Sequence, residues 1–207
     1  MKRSFFWDKI AERYSKQPVT DDAAYQKKLQ VTRDYLSPDM QVLEFGCGTG
    51  STAIAHAPYV KHIQAIDISG KMIEIAQGKA DALNIENITF QQSTLDDFSV
   101  DDHTLDAVMG HSILHLLYNW QETIANIHKI LKPGGSFITS TACIGDTQKY
   151  FKLIAPIGKL FGLNLQIFTR QELENSLTGA GFEIDHAWQP GKGKSVFIVA
   201  QKTAKDC

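Results

Sequence analysis

Between residues 41 and 141 short apolar runs alternate with longer helical stretches. QVLEF (41–45), HIQAID (62–67), NITFQQ (87–92), LDAVMG (105–110) and SFITST (136–141) have the length and the β-branched or aromatic content of strands. A glycine turn with a short helix follows the first, KMIEIAQGKADAL follows the second, and a helix over roughly 119–131 follows the fourth. Strands joined through helices run parallel, and a parallel sheet must be covered on both faces. Two more strands, FEIDHAW (182–188) and SVFIVAQ (195–201), flank the turn-forming QPGKGK and are expected to pair antiparallel. The expected fold is α/β: a seven-stranded, mostly parallel, doubly wound sheet with a reversed last strand.

The flanks fit around that core. FFWDKIAERY carries Phe6, Ile10 and Arg13 or Tyr14 at helical spacing. After QPVTDD, Asp21 or Asp22 can cap a second helix to Leu36, closed by Ser37-Pro38. Residues 147–166 form a separate block, expected to be a helical insertion. Thr169 with Glu172 three later has the spacing of a capping box for the helix that follows. The chain of 207 residues reads as one domain: a helical cap (1–38), a core (39–142), an insertion (143–168) and a C-terminal helix with two strands (169–207).

Composition narrows the function classes. Twenty-one Lys and Arg against 23 Asp and Glu leave a net charge of -2, which argues against binding nucleic acid through bulk charge. A 43% hydrophobic content with 21% charge is that of a folded globule. No run is long and apolar enough for a membrane span, and Asp8 ends the apolar start too early for a signal peptide. Three widely spaced cysteines, Cys47, Cys143 and Cys207, give no disulfide framework. A cytoplasmic setting is expected.

The chemistry concentrates in VLEFGCGTGSTA (42–53), where a strand runs into Gly46-x-Gly48-x-Gly50 and then a helix. Glycines there let the backbone turn sharply and let a ligand approach main-chain N–H groups. Asp67, at the end of the next strand, stands where a ribose diol can be held. A dinucleotide fingerprint would read G-x-G-x-x-G, but Ser51 follows Gly50 directly, and Glu44 precedes the first glycine by two. A carboxylate at Glu44 repels a pyrophosphate and suits a cationic ligand, an ammonium or a sulfonium.

With IDIS, STLDDF, LDAVMG, LKPGG and AGFE following in order, the chain resembles the Rossmann-like S-adenosylmethionine-dependent methyltransferases, small-molecule type, from about Gln41 to Gln201. The resemblance implies S-adenosyl-L-methionine as cofactor. It implies that Glu44 organises the methionine ammonium end, and that Phe45, Gly46, Cys47 and Gly48 run beneath the cofactor. Asp67 would accept from the ribose hydroxyls, with Ile68 and Met72 near the adenine. Ser93, Thr94 and Leu95 fill a slot where relatives often carry an acid for the adenine amino group; here Thr94 stands at that place, so a hydroxyl or main-chain contact must serve. His111 falls near the methionine end, and Tyr14 where relatives often cover the methyl-bearing end. GHSILH replaces the Asn/Asp-Pro-Pro-Tyr/Phe tetrapeptide of DNA amino-methylating relatives.

Methyl transfer from a sulfonium needs positioning and exclusion of water more than proton transfer. His115 is the candidate base for an acceptor that must lose a proton, and Tyr14 the second catalytic candidate. His111 and His115 are four apart, one face of a helix if a helix forms there, but no adjoining acid or cysteine makes a metal site, and none is expected. His56, His62, His103, His128 and His186 are expected at the surface or rim, and Asp96, Asp97, Asp101 and Asp102 in a solvated loop. FKLIAPIGKLFGLNLQIF (151–168) holds only Lys152 and Lys159 as charges. It fits a buried helix, a lid over an apolar acceptor pocket, or a peripheral membrane or dimer contact; Pro156 and Gly158 favour the lid. The expected partner is a small, partly apolar acceptor, with no nucleic acid and no membrane insertion, for a monomer or homodimer. Two rivals stand beside this reading: a non-catalytic S-adenosylmethionine-binding protein and an NAD-type oxidoreductase.

Overall fold

The apolar runs become strands at the expected places. The structure, a computed structural model, describes residues 4–146, 165–191 and 195–204. Its seven strands lie in one sheet of order β3-β2-β1-β4-β5-β7-β6, and the chain divides into two compact units, 1–99 and 100–207.

The first unit holds α1 (Ser4–Ser15), α2 (Asp22–Arg33), β1 (Gln41–Phe45), α3 (Ser51–His56), β2 (His62–Asp67), α4 (Gly70–Ala82) and β3 (Ile88–Gln92). β1 pairs with β2 and β2 with β3, all parallel. The last four residues of β1 and the last three of β2 are buried, as both faces of a covered parallel sheet require. Asp21 caps α2, its carboxylate accepting from Ala24 N at 3.1 Å. The helix ends at Arg33 rather than Leu36 because the last residues tighten into i→i−3 bonds, such as Leu36 N to Arg33 O. α1 packs on α4, and α2 on α3.

The second unit holds β4 (Leu105–His111), α5 (Trp120–Ile130), β5 (Leu131–Thr141), α6 (Arg170–Gly179), β6 (Phe182–Trp188) and β7 (Val196–Lys202). β4 and β5 are parallel, while β7 runs antiparallel to both β5 and β6, which makes it the reversed last strand. Thr169 and Glu172 form the expected capping box on α6.

β5 corrects one expectation. It begins at Leu131, not at Ser136: Leu105 pairs with Leu131 and Ala107 with Ser136, so KPGG is an irregularity inside the strand rather than a turn before it. Gly134 (φ 79°) takes the bend. The insertion expected over 147–166 falls almost wholly outside the described residues. Its exit is anchored: Gln166 N donates to His115 O at 2.7 Å, and buried Phe168 stacks on Trp120 with ring centroids 4.4 Å apart. Among the described residues no helix is long and apolar enough to cross a membrane.

Candidate functional site

The first unit brings the glycine turn, Glu44 and Asp67 together. Gly46, Gly48 and Gly50 all have positive φ (65°, 53° and 74°), a geometry open to glycine and strained for other residues. Asp67 fastens the turn, one carboxylate oxygen accepting from Gly48 N and the other from Ser69 N, both at 2.9 Å. The acid therefore has two functions available: it shapes the turn, and its remaining lone pairs can receive ligand hydroxyls. Burial outweighs those two N–H groups and raises its pKa, with the nearby Asp8 charge acting in the same direction.

Glu44 is 2% exposed, and its Oε2 has no hydrogen-bond partner. Burial, then the Asp67 charge, push its carboxyl up to about 8; the Ala53 N–H only partly offsets this. A buried, half-satisfied carboxyl is costly unless a cation or donor reaches it. The turn beside it is held from behind by Lys79 on α4, whose Nζ donates to Thr49 O (3.1 Å) and Thr49 Oγ1 (2.9 Å). The Tyr14 ring lies over the turn, since a Cβ built on Gly48 would meet Tyr14 Cε1 at 3.9 Å. Cys47 is buried, and burial raises its thiol pKa well above the ordinary value, so it acts as a small apolar filler.

Phe45 and Met72 are buried, with Ile68 half-buried between β2 and α4. Ser93 N donates to Asp67 O at 3.0 Å, which places Ser93, Thr94 and Leu95 directly after the β3 end. Thr94 is engaged locally: its hydroxyl donates to Asp97 Oδ2 at 2.7 Å and accepts from Asp97 N at 3.2 Å.

His111 and His115 belong to the second unit, and they do not share a helix. His111 ends β4, opposite Ser140 of β5; Ser112 then turns with φ 55°, and His115 lies in a 3₁₀ turn, Leu114–Leu116. The four-residue spacing therefore carries no helical face. His115 Nδ1 is 3.3 Å from Thr141 Oγ1, and desolvation lowers its pKa, which favours the neutral ring. Among the described residues no cluster of His, Cys, Asp and Glu could hold a metal.

His56 corrects a second expectation. It is fully buried at the end of α3 rather than at the surface, with Nδ1 2.9 Å from Thr52 O, and burial brings its pKa down to about 4. Asp8 and Lys79 were not singled out from sequence. Both act through partners more than 25 positions away, and no local pattern announces such bonds.

Residues 36–182 match the family model described as a methyltransferase domain. The chain belongs to this S-adenosylmethionine-dependent methyltransferase family. The methyltransferase YcgJ of Bacillus subtilis, itself uncharacterized, is 30% identical over 98 residues, which is 47% of this chain and 39% of that protein. Its crystal structure superposes with a TM-score of 0.72, covering 86% of this methyltransferase-family chain and 99% of the other; identity over that longer span is 16%. A demethylmenaquinone methyltransferase from Symbiobacterium thermophilum is 29% identical over 155 residues, 72% of this chain and 60% of its own length. The geranyl diphosphate C-methyltransferase of Streptomyces coelicolor, solved with S-adenosyl-L-homocysteine, has the same fold (TM-score 0.71, 16% identity, 86% and 79% of the two chains). The chain spans 39% and 60% of the length of the first curated relatives it matches.

The residues present fit the family's cofactor. The orphaned Oε2 of Glu44 is an acceptor suited to a positively charged ligand, and among the described residues only the Tyr14 ring comes within 4 Å of where a Gly48 Cβ would lie.

Proposed function

We propose that this chain transfers a methyl group from S-adenosylmethionine to a small, partly apolar acceptor, and that residues 1–207 act as one methyltransferase domain. The observation that carries the reading is the Glu44 carboxyl, buried and half-satisfied under a turn of positive-φ glycines that Asp67 fastens. The Glu44 carboxylate two residues before the first glycine disfavours a pyrophosphate and hence a dinucleotide.

In this reading Glu44 faces the amino end of the cofactor, directly or through water. The main chain of Gly46, Cys47 and Gly48 runs beneath it, Asp67 accepts from the ribose hydroxyls, and Ile68 and Met72 border the adenine. The Thr94 hydroxyl is held by Asp97, so Ser93–Leu95 meets the adenine amine through its main chain. Tyr14 covers the reactive end and keeps water out, and His111 lines the methionine end. When bound, S-adenosylmethionine supplies an electrophilic methyl on a sulfonium whose departure as a neutral thioether needs no acid. His115, kept neutral by its surroundings, takes a proton where the acceptor must lose one. The curated relatives with named small acceptors support the substrate class, as does the apolar content of 151–168.

Two expected results test the cofactor residues. Asp67→Ala should weaken S-adenosylhomocysteine binding by about 1–3 kcal/mol in calorimetry, as when buried ligand hydroxyls lose a charged acceptor. Unchanged affinity would falsify the ribose placement.

Glu44 adds a pH signature. Its folded pKa of about 8 lies above the ordinary 4.5, so the folded chain holds an extra proton between those values. Stability from this group is therefore greatest below pH 4.5 and falls as pH rises toward 8. A cationic ligand favours the carboxylate, so cofactor binding in that window should release a proton and tighten by up to about tenfold per pH unit. Titrations at pH 6–8 in two buffers of different ionisation enthalpy read both effects. Glu44→Gln should abolish the slope; the same slope in the variant would assign the proton elsewhere.

The acceptor is reached with methyl-labelled S-adenosylmethionine and a cell extract, counting label in organic-extractable, aqueous and precipitable fractions. Label in the organic fraction is expected. Label in the precipitate would overturn the small-molecule reading, and no label with cofactor still bound would identify a binding protein without turnover.

A further inference from the structure

α1 carries one polar connection to the cofactor side of the first unit. Asp8, in the middle of the helix, accepts from Ser69 Oγ at 2.6 Å and from Lys71 N at 3.2 Å. Ser69 is the N-cap of α4, and its Oγ also accepts from Met72 N at 3.1 Å. The Ser69 N–H donates to Asp67 Oδ1, and Asp67 Oδ2 accepts from Gly48 N. One continuous set of hydrogen bonds thus joins α1, the cap of α4, the ribose acid and the glycine turn. Six positions beyond Asp8 on the same helix, Tyr14 lies over Gly48.

α1 also packs on α4, with Phe6, Trp7 and Ile10 half-buried. Its one fully buried residue is Ala11, and Phe5 is 61% exposed. A 12-residue helix is marginal in water without tertiary contacts, so a charged acceptor on two donors adds to the packing on α4 in fixing its position.

We propose that Asp8 is a positioning residue for the cofactor: its carboxylate fastens α1 across the cap of α4, holds Tyr14 over the glycine turn, and must let go before the cofactor leaves. The proposal rests on the reading of Asp67 and the glycine turn as the cofactor site. Asp8 itself touches neither cofactor nor acceptor in this reading. It acts through Ser69 and through the helix it anchors, so its loss should appear in dissociation more than in association.

The test compares wild type, Asp8→Ala and Asp8→Asn. S-adenosylhomocysteine dissociation is followed by stopped-flow tryptophan fluorescence, and amide hydrogen exchange is read across residues 4–15 and 70–82. In Asp8→Ala the dissociation rate should rise about tenfold, the size of one charge-assisted hydrogen bond, while the association rate changes by less than about threefold. Exchange should quicken across α1 and at Lys71, whose N–H loses its acceptor, and stay unchanged through the rest of α4. Asp8→Asn keeps an acceptor oxygen without the charge and should fall between the two. A dissociation rate within about threefold of wild type overturns the proposal. So does faster exchange through α4 with a lowered melting temperature of the unliganded chain, which would make Asp8 a helix cap and nothing more. The Asp67→Ala variant separates the two failures. If it binds as wild type does, the ribose placement is wrong; if it binds weakly while Asp8→Ala does not, the fastening is wrong.

Discussion

Gly50→Ala is expected to destabilise the folded chain by about 3 kcal/mol, combining left-handed backbone strain with overpacking. Gly50 starts α3 at φ 74°, where its N–H donates to Cys47 O and its carbonyl receives Ile54 N. A Cβ there would lie 2.8 Å from Ala76 Cβ and 2.9 Å from Phe90 Cε1. The first neighbour sits directly on the backbone of α4 and the second on a ring of β3, so neither can swing aside as a flexible side chain would. The turn and the helix must move together, and S-adenosylhomocysteine binding should weaken with the fold. Gly78→Ala is the matched control. It is an exposed position within α4 where a Cβ meets nothing within 4 Å, and it should stabilise by up to about 1 kcal/mol through helix propensity. Denaturant unfolding reads both. Equal stabilities for the two alanine variants would refute the packing around Gly50.

Lys202→Met is the second large effect, expected at about 2–4 kcal/mol because it strands buried acceptors that the ammonium satisfies. Lys202 is 2% exposed at the end of β7. Its Nζ donates to His128 O at 2.7 Å and Leu131 O at 3.0 Å, and lies 3.0 Å from His103 Nδ1. Two of those acceptors belong to the C-terminal end of α5, where helix carbonyls lack internal partners and the dipole favours a cation. His103 N and Thr104 N satisfy the neighbouring Lys129 and Ile130 carbonyls. Methionine fills similar volume but donates nothing, so the variant isolates the polar contribution. Urea denaturation with an unchanged m-value and a lost midpoint is the expected result. A loss under about 0.5 kcal/mol would show that water replaces the ammonium.

What was legible in the sequence was whatever is written locally. β1, β2 and β6 occupy the residues read as strands, because apolar runs bounded by turn residues leave little choice of phase. The glycine turn and the Thr169–Glu172 box were equally plain, each being a few contiguous residues with a fixed geometry. Contacts over distance were not. Nothing near Lys202 separates it from Lys205, and nothing near Asp8 separates it from the other acids of the first two helices; their partners lie 61 to 99 positions away. The burial of His56 escapes the sequence for a related reason. The helix it ends is only six residues long, too short for periodicity to show which side faces inward. His111 and His115 were spaced as if on a helix, but a left-handed Ser112 breaks any such continuity.

The place of β7 bears on how the second unit is completed during synthesis. Residues 196–202 lie between β5 and β6, both made earlier, and they deliver the lysine that closes the end of α5. Until they leave the ribosome, two strands have unpaired inner edges and a helix has unanswered carbonyls. Such edges invite aggregation and proteolysis. A message truncated shortly before residue 196 should therefore give a product that cells clear rather than accumulate, although it would carry every residue assigned here to the cofactor.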